Sequence, residues 1–385
     1  MKRRTLVVTG STLGTAFLAG CLSDEEAPEP TNGDDDPGDD NGDDPDGETG
    51  DAETAEEDGE SRQPDFPAYE LPAYGEWPPV EPRTRDFVLA GHMNAHYLHE
   101  ADDDDDTEAD DEPLDAEDVL LTMPFFGGIT TLLWFSLGLW EYPWESTLGS
   151  ADEPEGMETT AFTMTEGTFV FHGEYDDELF ADEYADEFDE REVGAFTVFE
   201  GRDGEATEEL AYAASNDTVV AAIAPEGVTG HDTIVGNLTN AVENHESASG
   251  RILDDEDGRW LFETTGPADL ATCFWGVEGM EPEHLDFGDE DDSDEETETI
   301  AENPVFENVD SFVSTLALPE VDGGVGGDMA AARFAAIYPE GEVPSEDELR
   351  EGLLSDESAA EADVHVTSGD DRAHVEVQTT VEEIE

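Results

Sequence analysis

A chain with 105 aspartates and glutamates against 13 lysines and arginines has to fold against a formal charge of −92. Self-repulsion on that scale opposes any compact state in dilute buffer. At 1 M salt the screening length shortens to roughly 3 Å, and such a surface becomes compatible with folding. The acids run through segments that also carry regular apolar patterns, so the composition points to a folded body suited to brine and not to disorder alone. It also argues against nucleic acid as a partner, because phosphate contacts need clustered lysine and arginine.

The N-terminus reads as an address. Arg3 and Arg4 precede a mild apolar run, Leu6 to Leu18, which is short for a bilayer and interrupted by Thr9, Gly10, Ser11, Thr12, Gly14 and Thr15. Small residues then lead into Cys21. A charged start, a short apolar stretch and a small-residue processing site make an export signal and not a transmembrane helix. Arg3-Arg4 followed by Thr-Leu-Val resembles twin-arginine signals, and Leu18-Ala19-Gly20-Cys21 resembles the lipobox of exported lipoproteins. With the acidic composition, the chain resembles haloarchaeal twin-arginine-exported lipoproteins of unassigned function, specifically so only in the signal and lipobox. The resemblance implies cleavage before Cys21, a lipid on its sulfur, and residence on the outer face of the cytoplasmic membrane. Loss of Lys2, Arg3 and Arg4 with the signal would take the formal charge to about −95 and leave ten arginines and no lysine.

After the signal (1–21), residues 22–82 form an acidic and proline-rich tether. From Leu22 to about Ser61 there is almost nothing to bury, as expected of a disordered, self-repelling spacer. Its Asp34-Asp35-Asp36 and Asp43-Asp44-Pro45-Asp46-Gly47 runs do not keep the ligand spacing of a calcium loop. The end of the tether is an aromatic strap with Pro67-Ala68-Tyr69, Pro72-Ala73-Tyr74 and Trp77-Pro78-Pro79. Proline favours extended chain, and the aromatics are expected to lay it onto the folded body.

Residues 83–160 read as an apolar helical segment, with a helix expected over Phe87 to His99. Val119 to Trp140 carries no charge and is long enough to span a membrane. Pro124, the Gly127-Gly128 pair, acids at both ends and the lack of a positive flank favour a buried helix or helix pair broken at the glycines.

Residues 161–300 and 301–385 read as two α+β lobes. Strands are expected at Thr168–Phe171 and Ala195–Phe199, and an acidic helix at Asp176–Phe188. Ser215-Asn216-Asp217 reads as a hairpin turn, and His231–His245 as an amphipathic helix. Ala221-Ala222-Ile223-Ala224-Pro225-Glu226-Gly227 matches Ala335-Ala336-Ile337-Tyr338-Pro339-Glu340-Gly341. In each copy strands precede the match and a helix pattern follows, then two extended segments around an acidic turn, Asp254–Arg259 in one and Ser368–Arg372 in the other. The expected fold class is therefore α+β, built from tandem duplicated strand-strand-helix-strand-strand units with mostly antiparallel sheets. Ile223 and Ile337 would face equivalent cores, covered by Ile234 or Leu238 in one copy and by Leu349 or Leu353 in the other. Asp286–Glu298 is an acidic insertion between the copies.

On a helix, His92, His96 and His99 would share one face, and an i, i+4 histidine pair can chelate a divalent metal such as zinc or copper. The plainer reading is satisfied or solvent-facing histidines. Cys273, the other cysteine, reads as a small buried hydrophobe. Asn216-Asp217-Thr218 and Asn237-Leu238-Thr239 are glycosylation sequons. Gly323-Gly324-Val325-Gly326-Gly327 lacks the phosphate-loop spacing and reads as a strand connection, and no nucleophile elbow or zincin motif is present. No catalytic set and no cofactor are implied. The expectation is a non-enzymatic binding or envelope-associated role, with the membrane and an envelope protein or small ligand as partners. The alternatives are a solute-binding lipoprotein of a transporter, and a metal protein using His92 and His96.

The charge carries a first prediction: circular dichroism during dialysis from concentrated salt into dilute buffer should show loss of the native spectrum. A spectrum unchanged in dilute buffer would contradict the reading of a brine-adapted fold.

Overall fold

A computed structural model describes residues 66–82, 87–95, 119–125, 127–128, 157–165, 167–175, 188–202, 210–222, 231–277, 303–318, 329–355 and 363–380. The strands are β1 (Val88–Asn94), β2 (Met157–Thr165), β3 (Thr168–Tyr175), β4 (Phe188–Val193), β5 (Phe196–Gly201), β6 (Ala211–Ala214) and β7 (Thr218–Ala222), then β8 (Leu270–Trp275), β9 (Ser311–Ala317), β10 (Met329–Ile337), β11 (Asp363–Ser368) and β12 (Arg372–Thr380). Among the described residues the helices bounded at both ends are α1 (His231–Ser247), α2 (Glu256–Thr265) and α3 (Glu346–Leu353), and residues 119–125 are also helical. Among the described residues, all twelve strands join one sheet in the order β11-β12-β10-β9-β8-β1-β2-β3-β7-β6-β5-β4. Every pairing is antiparallel. The fold is mixed α+β with the sheet dominant, and the β8–β9 pairing carries the sheet across the expected boundary between lobes.

Alternation sorts the strand side chains onto two faces. One face buries Phe162, Phe171, Phe199, Tyr212, Phe274, Phe312 and Phe334 in a large aromatic core. Leu120 and Met123 from the helical residues 119–125, Phe306, and Leu349 and Leu353 of α3 belong to that core. The other face is lighter, with Val88, Ala90, Cys273 and Ala335 under α2 and Val170, Val198, Ala213 and Val220 under α1. α1 reaches it through Ile234, Leu238 and Val242, one residue per turn.

Local chemistry ends the elements where the sheet needs them to end. Asp255 caps α2 by accepting from the amides of Asp257 and Gly258, and Gly266 leaves its C-terminus at φ 69°. Ser345 and Glu348 form a reciprocal capping box on α3. In the β6–β7 turn, Ser215 Oγ accepts from the Thr218 amide at 3.1 Å and donates to Asp217 at 2.7 Å. β4 lies at one edge of the sheet and carries Asp189, Glu190, Arg191 and Glu192, charges that oppose edge-to-edge association.

The strands expected at Thr168–Phe171 and Ala195–Phe199, the Ser215–Asp217 turn and the helix over His231–His245 are all present. Two expectations are corrected. Phe87–His99 is not a helix: its described part is β1, in the middle of the sheet. Continuous burial on both faces of a central strand removes the two-residue alternation, which left the segment readable as helical. Asp254–Arg259 is not a turn between strands but the entry into α2, with Asp255 as its cap.

The duplication is not confirmed by the described residues. The 301–385 segment has the expected order β9, β10, α3, β11, β12. In the other segment α1 is followed by α2, and β7 pairs with β3 on its outer side. The two helices also cover opposite faces: Ile234, Leu238 and Val242 of α1 lie in the lighter core, while Leu349 and Leu353 of α3 lie in the aromatic one, away from Ile337. Pro339-Glu340-Gly341 does form the turn from β10 towards α3, with Gly341 at φ 83°. Pro225-Glu226-Gly227 and Ile223 lie outside the described residues, as do residues 129–140, 176–187, 286–298 and 323–327. No helix among the described residues is long and apolar enough to cross a membrane.

Residues 119–128 dock on the aromatic face through a glycine. Thr272 Oγ1 donates to the Met123 carbonyl at 2.8 Å and accepts from the Gly127 amide at 2.9 Å. A Cβ on Gly127 would run into Thr272 Oγ1 and the Ala271 carbonyl, whereas one on Gly236 in α1 would meet nothing. Gly127→Ala should therefore cost about 1–3 kcal/mol by overpacking. Gly236→Ala should be neutral or stabilise by up to about 1 kcal/mol. Denaturant unfolding in concentrated salt reads both, and equal effects would contradict this docking.

Candidate functional site beneath the strap

The floor of the lighter face carries a polar row. In register from one strand to the next stand His365 (β11), Glu376 (β12), Arg333 (β10), Thr315 (β9), Ala271 (β8), His92 (β1) and Thr163 (β2). His172 on β3 continues it one diagonal step away, its Nε2 at 3.0 Å from Thr163 Oγ1. His92 Nδ1 lies 3.0 Å from the same hydroxyl. A threonine hydroxyl has one proton, so it donates to one imidazole and accepts from the other, fixing complementary tautomers on His92 and His172.

The strap runs across the strands along this row. Five strand spacings separate β10 from β3, roughly 24 Å, and the eight residue-to-residue steps from Tyr69 to Trp77 extend to at most about 27 Å. Pro72 holds extended geometry at φ −74°, ψ 143°, and a single turn over Ala73–Glu76 drops Tyr74 into the face. The ring of Tyr69 faces the Arg333 guanidinium, which lies 4.4 Å from the ring centre, and the tyrosine hydroxyl reaches Glu376 at 3.1 Å. Tyr74 stacks on His92 at 4.4 Å and donates its hydroxyl to the Gly266 carbonyl at 2.9 Å. Trp77 stacks on His245 of α1 at 4.1 Å, with 5° between the planes, and meets His172 edge-on at 6.3 Å.

Main-chain bonds complete the seat. The Tyr69 amide donates to the Glu263 carbonyl, the Val80 amide to Gly250, and the Ile252 amide to Pro78. Trp275 Nε1 donates to the Val80 carbonyl at 2.9 Å. Tyr74 and Trp77 are 6% and 3% exposed, so the strap belongs to the core. The void left among Tyr74, His92, Thr163 and Cys273 is only about 10 Å³.

Burial sets the electrostatics. It lowers the His92 pKa to about 3, helped by the nearby His172, and the His172 pKa to about 4, helped by His245. His245 is lowered by burial too, although Glu76, 3.6 Å from its Nδ1, opposes the shift. Burial pushes the Cys273 thiol up to about 12, so it stays protonated and unreactive, the small hydrophobe expected. For Glu376 burial alone would raise the pKa, but hydrogen bonds from Gln378, Arg333 and Tyr69 and the Arg333 charge outweigh it and hold the carboxylate ionised. The arrangement can hold an extended aromatic segment by stacking, one buried ion pair and neutral imidazoles.

Of the residues singled out in the sequence, His92 is in this row, on a strand and not on a helix face. The helix on which a His92–His96 chelate was expected is thus not present at His92; His96 and His99 lie outside the described residues, as do Arg3, Arg4 and Cys21. No group of three or more metal-type side chains converges among the described residues. Asn216 is exposed at the tip of the β6–β7 turn, while Asn237 is 8% exposed on α1 and is not offered to a glycosyltransferase by the folded chain. The sequence reading missed the roles of His172, His245, Arg333 and Glu376. For the three on strands the available signal was a polar residue within an otherwise apolar strand, the mark of a second partner covering the face; His245, in the last turn of α1, carried no such signal. The chain matches no protein-family model, no curated protein and no solved structure.

The histidines predict an acid limit on stability. The unfolded chain takes up protons on histidine near pH 6.5, whereas folded His172 resists until about pH 4 and His92 until about pH 3. Stability contributed by their neutral forms is complete above pH 6.5 and is lost as pH falls through that window. By pH 5 the loss is on the order of 2 kcal/mol per histidine. Denaturant unfolding at pH 7 and pH 5 should show His172→Gln narrowing the gap between the two pH values. A variant that left the gap unchanged would count against a buried neutral His172.

Proposed function

We propose that this chain is a lipid-anchored protein of the outer face of the cytoplasmic membrane in a salt-rich envelope, with a non-enzymatic binding or envelope-associated role. The observation that carries the reading is the seat of the strap. The segment that directly follows the acidic spacer is stitched across the middle of the sheet by Tyr69, Tyr74 and Trp77. An anchor on Cys21 would thus connect, through a solvated spacer, to the best-buried part of the fold and hold the body away from the bilayer. The acidic surface suits that setting, since concentrated salt screens it at short range.

The partners consistent with this role are the membrane, through the lipid on Cys21, and an envelope protein or small ligand; the charge disfavours nucleic acid. A solute-binding lipoprotein is less favoured, because such proteins close a cleft between two lobes and here one sheet runs through both.

The test is fractionation of the full chain and its Cys21→Ser variant in concentrated salt. A lipid chain contributes roughly 0.8 kcal/mol per buried CH₂, and the spacer offers no apolar anchor of its own. The unmodified chain should sediment with membranes and the variant should appear in the soluble exported fraction. A variant that stayed membrane-bound would overturn lipid anchoring and return the Val119–Trp140 stretch to consideration as a span.

A further inference from the structure

The groove between α1 and α2 holds its strap as a protein holds a bound peptide. The contacts are side-chain stacking in two pockets, a hydroxyl on a buried carboxylate, and main-chain bonds along an edge. The occupant is itself a short repeat, Pro67-Ala68-Tyr69 and Pro72-Ala73-Tyr74, with each tyrosine hydroxyl on its own acceptor, Glu376 for the first and the Gly266 carbonyl for the second. Two glycines shape the seat. Gly75 lies against the ring of Phe262, and a side chain on Gly266 would collide with Tyr69.

We propose that this groove is a peptide-binding site filled in cis by the strap, and that its partner in trans is the strap of a second copy, exchanged to give a reciprocal dimer. Three observations select that occupant. The groove is chemically matched to a Pro-Ala-Tyr-x-x-Pro-Ala-Tyr-x-x-Trp segment, which every copy carries. The strap precedes all twelve strands in the chain, so it leaves its groove without unthreading any strand. Its exit and the start of β1 meet at one residue, Trp275, whose indole bonds the Val80 carbonyl and whose backbone pairs with Val88. The seven residues 81–87 therefore join two points that lie close together, and fully extended they reach about 23 Å, enough to carry the strap to a neighbouring body. An exchanged dimer keeps every strap contact and changes only the path of that connection, the condition under which swapping is inexpensive.

Pro79 and Arg251 give a direct test. They form an isolated antiparallel bridge flanked by the Val80–Gly250 and Ile252–Pro78 hydrogen bonds, which makes them a non-hydrogen-bonded pair. Such pairs stand about 4.5 Å apart at Cα, within the reach of a disulfide. Full-length Cys21→Ser chains carrying either Pro79→Cys or Arg251→Cys are unfolded, mixed, refolded together in concentrated salt and oxidised. Exchange gives a disulfide-linked dimer containing one of each chain, more abundant at higher protein concentration and lost when Tyr74→Ala and Trp77→Ala are added to the Pro79→Cys chain. The double variant Pro79→Cys/Arg251→Cys should also give linked dimer beside internally closed monomer. Closed monomer from the double variant with no mixed dimer at any concentration would overturn the proposal, as would a mixed dimer indifferent to the Tyr74 and Trp77 changes. Light scattering on the Cys21→Ser chain refolded the same way gives an independent reading, and monomer alone at every concentration also refutes exchange.

Discussion

A buried ion pair under an aromatic ring governs how this sheet is closed. Arg333 and Glu376 face each other on β10 and β12 with side chains 13% and 9% exposed. Two charges taken out of water are unfavourable unless their remaining hydrogen-bonding capacity is filled. Here Glu376 also accepts from Gln378 and from Tyr69, and Arg333 also donates to the Thr265 carbonyl at the end of α2. Removal of Tyr69 would leave the pair open on one side, so the strap is a structural requirement of the sheet beneath it. The same holds at the other end, where His92 and His172 are satisfied through one threonine and shielded by Tyr74 and Trp77.

Scarce cations are used in the same spirit. Arg191 pairs with Glu200 and reaches Thr239 of α1, Arg202 pairs with Asp189, and Arg251 pairs with Asp254 at the start of the short turn before α2. Arg372 pairs with Asp257 and lies over the ring of Trp260 at 4.9 Å, which in turn meets Phe66 at the start of the strap. Isolated surface pairs contribute little, about 0–1 kcal/mol. Arg372–Asp257 ties β12 to α2, Arg191 ties β4 to β5 and to Thr239 of α1, and in each place a cation also relieves local repulsion among acids.

The legible part of the fold was the part with ordinary periodicity. β3, β5, the β6–β7 turn, α1 and the whole of β9 to β12 with α3 stand where alternation, turn residues and amphipathic spacing put them. β1 was lost because a central strand buried on both faces has no alternation to read. α2 was lost because Asp254-Asp255-Glu256-Asp257 is at once a plausible solvated turn and a good helix start, and only the burial of Leu261 and Phe262 decides for the helix. The seven-residue match at Ala221 and Ala335 is not accompanied by a matching unit among the described residues, since the helices that follow cover opposite faces. The strap was legible as a segment that packs, from its prolines and aromatics. What it packs on was not, because the row beneath it is assembled from strands far apart in the chain.

The repeated Pro-Ala-Tyr raises a question of register that the groove answers physically. A slip by one five-residue repeat would put Tyr74 where Tyr69 sits, and its hydroxyl would find the same Glu376 carboxylate. Tyrosine chemistry alone therefore does not choose between the two seatings. Trp77 does, because a slip would draw it off the imidazole of His245 and away from Phe196 and His172, uncovering an apolar patch on β3, β5 and α1. Burial of a side chain of that size is worth at least about 1.5–3 kcal/mol, enough to make the slipped seating a minor species. The buried charge pair thus fixes where the first tyrosine rests, and the tryptophan fixes which tyrosine that is.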